Sequence, residues 1–291
     1  MVCVKSRKTG VLSMCLKARN VLYVGLIVLA GALLTAPIHG ESPSYPEIHC
    51  KHFFYGYPTG TPVTNDLIIR DIYALSSNDE TKFADWVAYR LDKDTVTGDA
   101  ETSRKWKADP WLGEEETLEP DDYKDAHAKL KVDRGHQAPL ASFEGTKSWA
   151  ETNFLSNITP QKSDLNQGAW KKLESKVRKL VKAGNVVYVM TGPLFEKKMP
   201  CLPKADEPHK APSGYWKIIL VQSGKTANSI KSASFIFDQN TPKSDKVIDH
   251  LCTIEDIEAK TGLDFLRELP DDVETQIEKN EYETWAQENF E

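Results

Sequence analysis

Residues 131–143, KVDRGHQAPLASF, crowd an acid, a guanidinium and an imidazole around one glycine: Asp133, Arg134, Gly135 and His136. An imidazole with an ordinary pKa of about 6.5 accepts a proton near neutral pH. A guanidinium presents a planar fork of donors suited to phosphate oxygens, and glycine permits unusual backbone and close approach. A lone histidine is more often structural than catalytic, and His127 and His209 are read that way. His136 differs because of its neighbours.

A second segment, 153–174, reads NFLSNITPQKSDLNQGAWKKLE and carries Asn153, Asn157, Gln161, Asn166 and Gln167 within a short span. Some of these amides must cap a helix or brace loops. A carboxamide oxygen is also a ligand for magnesium, a hard cation that keeps much of its water. Asn166 and Glu174 are eight residues apart, which on a continuous helix is about 12 Å along the axis and roughly 80° around it. That spacing argues against both being direct ligands of one ion and leaves Glu174 to act through the hydration shell. A base, a cation and positively charged donors are what hydrolysis of a phosphodiester requires.

The elements that must position these groups are partly legible. Leu173, Val177, Leu180 and Val181 recur at helical spacing, and Gly184-Asn185 follows, which predicts a helix from Leu165 to Val181. Its other faces carry Lys171, Lys172, Lys176, Arg178, Lys179 and Lys182, either a solvated face or a track for phosphates. Runs rich in β-branched and aromatic residues predict strands at Ala84–Leu91, Val186–Met190, Tyr215–Val221 and Ala233–Phe237. The acidic segments 114–125 and 271–291 read as solvated surface, the latter helical. Trp106, Trp149 and Trp170 are candidates to stack bases, although burial in the core is the commoner fate of such residues.

Composition sets further bounds. The chain has 291 residues, 40% of them hydrophobic and 27% charged, which is ordinary for a globular protein. Lys5, Arg7, Lys8, Lys17 and Arg19 precede an apolar run from Val21 to Leu34, too short to span a bilayer and followed by Pro37 and Gly40. Residues 1–40 are therefore expected to be a signal peptide, with an uncleaved membrane anchor as the alternative, and 41–291 a single domain that is secreted or periplasmic. Without the first forty residues the chain holds 32 Lys and Arg against 43 Asp and Glu, a formal charge of −11. Net acidity does not exclude a nucleic-acid substrate, because the distribution of charge decides where an anion docks. Only Cys50, Cys201 and Cys252 follow that segment, with no zinc-knuckle spacing among them.

DRGHQAPLA followed by NFLSNITPQKSDLNQGAWKKLE resembles the DNA/RNA non-specific endonuclease family. SRKWKADP (103–110), TKFADWVAYRL (81–91), TGPLFE (191–196), PSGYWKIIL (212–220), FDQNTPK (237–243) and IEAKTGL (257–263) extend the resemblance over nearly all of 41–291. It implies an α+β fold of the ββα-metal (His-Me finger) type, a central antiparallel sheet flanked by helices. It implies Mg2+ as cofactor, with Mn2+ as a substitute, and DNA and RNA as substrates cut without strong sequence preference to leave 5′ phosphates. His136 then matches the general base, Asn166 the metal ligand and Glu174 the holder of the ion's water. Arg104 and Arg134 match the arginines facing phosphate, Asn157 an amide beside the histidine, and Asp133 and Gln161 supporting residues. A homodimer comes with the resemblance; a stable protein partner of another kind does not.

The family's disulfides do not transfer, since Tyr57 stands where a partner for Cys50 is expected; Cys201 with Cys252 is the substitute pairing. A same-fold nuclease narrowed to single strands or RNA, and a non-catalytic nucleic-acid-binding protein, are the competing readings.

Overall fold

Because β-branched and aromatic residues fit a pleated, buried surface, the four expected strands form, each longer than its apolar run. The structure, a computed structural model, describes residues 45–99, 103–224, 226, 229–280 and 283–291. The expected export segment lies outside them. Nine strands occur among the described residues: β1 (Asp66–Ile69), β2 (Ala74–Asn78), β3 (Phe83–Leu91), β4 (Val132–His136), β5 (Ile158–Lys162), β6 (Val187–Leu194), β7 (Gly214–Gln222), β8 (Ile230–Asp238) and β9 (Leu251–Cys252). Seven make one antiparallel sheet in the order β1-β2-β3-β6-β7-β8-β9, and β4 and β5 pair separately as a two-stranded ribbon.

The helices are α1 (Lys93–Val96), α2 (Ala126–Leu130), α3 (Ser163–Leu165), α4 (Lys171–Lys182), α5 (Ile254–Thr261), α6 (Asp271–Glu278) and α7 (Glu283–Phe290). Alternation along β7 shows why both faces of the sheet are covered. Tyr215, Ile219 and Val221 enter a core with Leu173, Val177, Leu180 and Val181 of α4 and Phe290 of α7. Trp216, Ile218 and Leu220 enter a second core with Ile257 of α5, Ile277 of α6 and Phe54. The arrangement is the expected α+β class.

A third, smaller core seats the ribbon. Phe83, Leu118, Tyr123, Val132, Leu155 and Ile158 pack together beneath it. Hydrogen bonds then fix the ribbon to one end of the large sheet: Tyr215 donates to the Pro160 carbonyl (3.1 Å), as does the Gln239 amide (2.9 Å), and Gln239 Oε1 accepts from the Lys162 backbone (2.7 Å).

Four sequence expectations change. The helix from Leu165 to Val181 is not continuous: α3 and α4 are separated by a wider turn over Asn166–Trp170, and Gly168 leaves helical backbone at φ −101°, ψ −115°. A side chain at 168 would stand 2.8 Å from Lys243 Cα, so the neighbouring loop admits only glycine there. The 114–125 segment is not merely solvated, since Thr117, Leu118, Asp122 and Tyr123 are buried. Nor is the acidic C-terminal stretch, where Ala286 and Phe290 are fully covered. Finally, the expected Cys201–Cys252 bridge is not formed. Cys252 packs with the second core, whereas Leu202 beside Cys201 belongs to the third.

Candidate active site

Period-two alternation gives β4 two functional sides. Asp133 and Gly135 take one, Arg134 and His136 the other. Gly135 pairs with Thr159 and Asp133 with Gln161 across the ribbon. A Cβ at 135 would lie 2.6 Å from Gln161 Oε1, so this glycine makes room for the Gln161 side chain.

On the first side, Asp133 is a hydrogen-bond hub. Its Oδ2 accepts from Asn166 Nδ2 (2.9 Å) and Gln167 Nε2 (2.9 Å), and its Oδ1 from Ser163 Oγ (2.8 Å) and His127 Nδ1 (3.1 Å). Burial alone would raise the Asp133 carboxyl; the bonds from Asn166, Gln167, Ser163 and His127 outweigh it and hold the group below the usual carboxylate range. The network also settles the orientation of Asn166. With its nitrogen donating to Asp133, its oxygen is the atom left for a ligand.

On the second side, His136 is half-buried against Trp106, with ring centroids 5.3 Å apart. His136 Nε2 lies 3.3 Å from Asn153 Oδ1. An amide oxygen cannot donate, so Nε2 carries the hydrogen and Nδ1 holds the lone pair. Burial drives the imidazole pKa down to about 4; Arg104 adds to the shift and the Asn153 bond opposes it. The ring is neutral at pH 7.

Glu174 lies on α4, and burial pushes its carboxyl up against the pull of Lys217, Arg178 and Arg104. The charge of Arg104 is felt at both His136 and Glu174 and lowers the pKa of each. The break at Gly168 removes the ideal helix on which the spacing of Asn166 and Glu174 was reckoned. Their separation on a regular helix therefore says nothing about how both meet an ion.

The other predicted residues occupy bracing positions. Every polar atom of Asn157 is engaged with backbone: Oδ1 accepts from Ala138 (2.8 Å), and Nδ2 donates to the Ala138 (3.0 Å) and Thr152 (2.9 Å) carbonyls. The amide touching the histidine is Asn153 instead. Arg134 donates to the Pro120 carbonyl (2.8 Å), and its guanidinium sits over the rings of Tyr123 (5.0 Å) and Trp106 (5.5 Å). Gln161 is buried, and neither of its amide atoms has a hydrogen-bond partner.

Sequence reasoning missed three groups. Asn153 appeared only among several amides. Arg178 follows Glu174 by one helical turn, a spacing visible in the sequence but read only as part of a solvated face or a phosphate track. Lys217 is fully buried, its Nζ 4.3 Å from the Trp170 ring centroid and 3.4 Å from Tyr89 OH. Burial lowers its pKa to about 8 against the favourable charge of Glu174. No motif marks a lysine that a strand places under a helix.

Comparison with known proteins agrees with this architecture. The family model described as DNA/RNA non-specific endonuclease matches residues 53–272. A nuclease of Serratia marcescens is 49% identical over 224 residues, covering 76% of this chain and 82% of that protein. A nuclease of Nostoc sp. is 28% identical, covering 84% and 91%. The fold is that of a chain in the crystal structure of the EndoG/EndoGI complex, with a TM-score of 0.60 at 24% identity, covering 74% of this chain and 90% of that one. With so much of its length matched, the chain belongs to the DNA/RNA non-specific endonuclease family and is an endonuclease.

Proposed function

We propose that this endonuclease is exported, uses Mg2+ (or Mn2+) and cuts DNA and RNA by in-line attack of water, with His136 as general base. The carrying observation is the Nε2–H bond to Asn153 on a neutral, half-buried ring, which leaves Nδ1 to receive the proton. Water loses a proton to Nδ1 as its oxygen bonds to phosphorus. The P–O3′ bond breaks, and the departing oxygen takes a proton from solvent. The products carry a 5′ phosphate and a 3′ hydroxyl.

The donor set fits a hard cation. Asn166 would hold it through Oδ1 and Glu174 through its water, while Asp133 locks the Asn166 amide. When bound, the ion stabilises negative charge on the phosphate and the leaving oxygen. A neutral amide ligand leaves most of the ion's charge for the phosphate. Arg104, exposed and close to both His136 and Glu174, binds the phosphate being cut. Contacts of this kind address the backbone and carry no base information, which accounts for tolerance of sequence and sugar. No described helix is long and apolar enough to cross a membrane; export rests on the sequence of residues 1–40.

Digestion of duplex DNA, single-stranded DNA and RNA, with Mg2+, with chelator and with Mg2+ restored, tests the proposal. His136→Ala is expected to lose about 10²–10⁴-fold in turnover. Unchanged turnover in that variant sinks the base assignment.

A further inference from the structure

Three tryptophans considered from the sequence as base-stacking residues are at least half covered: Trp170 lies in the core, Trp149 packs against it and Trp106 lies against His136. The exposed one is Trp111, with 61% of its surface open, on the same loop as Arg104 and Trp106. It is built in rather than dangling. The Arg70 guanidinium lies 3.9 Å from the Trp111 ring centroid and 4.6 Å from that of Phe154. Arg70 is itself buried and ion-paired to Asp109 at 2.5 Å, and Asp109 also accepts from the Trp111 backbone (3.0 Å) and from Ser156 (2.5 Å). A cation beneath one face of an indole fixes its orientation.

This platform is coupled to the site. His136 touches Asn153, the next residue Phe154 carries Arg70, and Arg70 carries Trp111. Lys107 pairs with Phe154 across the same junction. Trp111 stands five positions beyond Trp106, so the chain spans at most about 18 Å between them. That is a few nucleotides of a stacked strand at about 3.4 Å each. Arg104, Lys105 and Lys107 are exposed before Trp111, and Glu114 and Glu115 are exposed after it. Phosphates are favoured on the lysine side and repelled on the glutamate side. An exposed aromatic face beside phosphate-binding cations is suited to stacking a base.

We propose that Trp111 stacks an unpaired nucleobase of a strand whose scissile phosphate lies at His136, giving this nuclease a grip on single strands that duplexes do not receive. Inside a duplex each base has both faces occupied by its stacked neighbours, whereas an unpaired base can turn a free face to the indole. The proposal rests on nucleic acid passing over His136 as described above.

The test measures binding of a short oligothymidylate, the same strand with abasic sites, and a duplex of equal length, in a His136→Ala background with and without Trp111→Ala or Trp111→Phe. Base–aromatic stacking of about 1–3 kcal/mol corresponds to about 5- to 150-fold weaker binding of oligothymidylate on Trp111→Ala. Trp111→Phe is expected to keep most of the affinity, the abasic strand to bind both forms alike, and the duplex to lose much less. Equal losses on all three ligands, or none on oligothymidylate, overturn the stacking site. Should His136→Ala still cut the strand, the base assignment fails instead, and the same comparison is read on the wild-type background in excess chelator.

Discussion

Asp133 and His136 stand three residues apart on β4, and their surroundings are opposite. Asp133 receives four hydrogen bonds, from Asn166, Gln167, Ser163 and His127, and is held in its charged form. His136 makes one, to Asn153, with Trp106 against its ring, and is held in its neutral form. A strand whose side chains alternate can present a solvated, donor-rich wall and a drier wall within a single turn of sequence. The difference shows how one ribbon supplies both an anion that organises an amide and an imidazole that stays unprotonated. Donors stabilise charge and desolvation opposes it.

The strongest test of the first wall is Asn166→Ala, expected to lower turnover by at least the 10–100-fold typical of disturbing a metal's surroundings and to raise the Mg2+ concentration needed. Asp133→Asn should move both quantities in the same direction by less. If Mg2+ dependence is unmoved in Asn166→Ala, that residue does not hold the ion.

For the second wall, pH is the sharper probe. The folded imidazole titrates near 4, below its unfolded value of about 6.5. The base is therefore lost only as pH falls toward 4, and the acid limb of kcat/KM is expected there. Below pH 6.5 the unfolded chain binds the proton more readily, so this group also takes away stability progressively between pH 6.5 and 4. Opening the ring to water with Trp106→Ala removes desolvation, raises the pKa and moves the limb upward. A limb already near 6.5 in the wild type would contradict the dry wall.

The smallest effect on chemistry is expected from Asn157→Ala. Its three backbone hydrogen bonds make it a brace, so thermal or urea unfolding should show a loss of about 1–3 kcal/mol for the buried groups left unpaired. Turnover per folded molecule should change far less than in His136→Ala. A large catalytic defect with unaltered stability would return Asn157 to the chemistry.

Much of the fold was legible where packing and local pattern agree. The runs in β3, β6, β7 and β8 and the apolar stripe of α4 carry the periodicities that burial on a sheet imposes. β2, β4 and β5 were not, because ALSSN, VDRGH and ITPQK are polar or contain proline, and β4 and β5 gain their place by pairing with each other across a long stretch of sequence. The acidic segment around Leu118 misled for the same reason. Two buried hydrophobic side chains, Leu118 and Tyr123, decide its position among many charges, and composition averages them away.

By itself the sequence determined that His136 and Asn166 are the residues to ask about, because their type and motif set what chemistry is available. Tertiary structure alone decided what surrounds each. Asn153 rather than Asn157 meets the histidine because the backbone of Ala138 and Thr152 consumes every polar atom of the Asn157 side chain. Asn166 offers its oxygen because Asp133, thirty-three residues earlier, takes its nitrogen. Lys217 acts on Glu174 because a sheet and a helix are pressed together, with a break at Gly168 that no helical spacing foretells. Hydrogen bonding and desolvation depend on what surrounds an atom, and the chain supplies those surroundings only once it is folded.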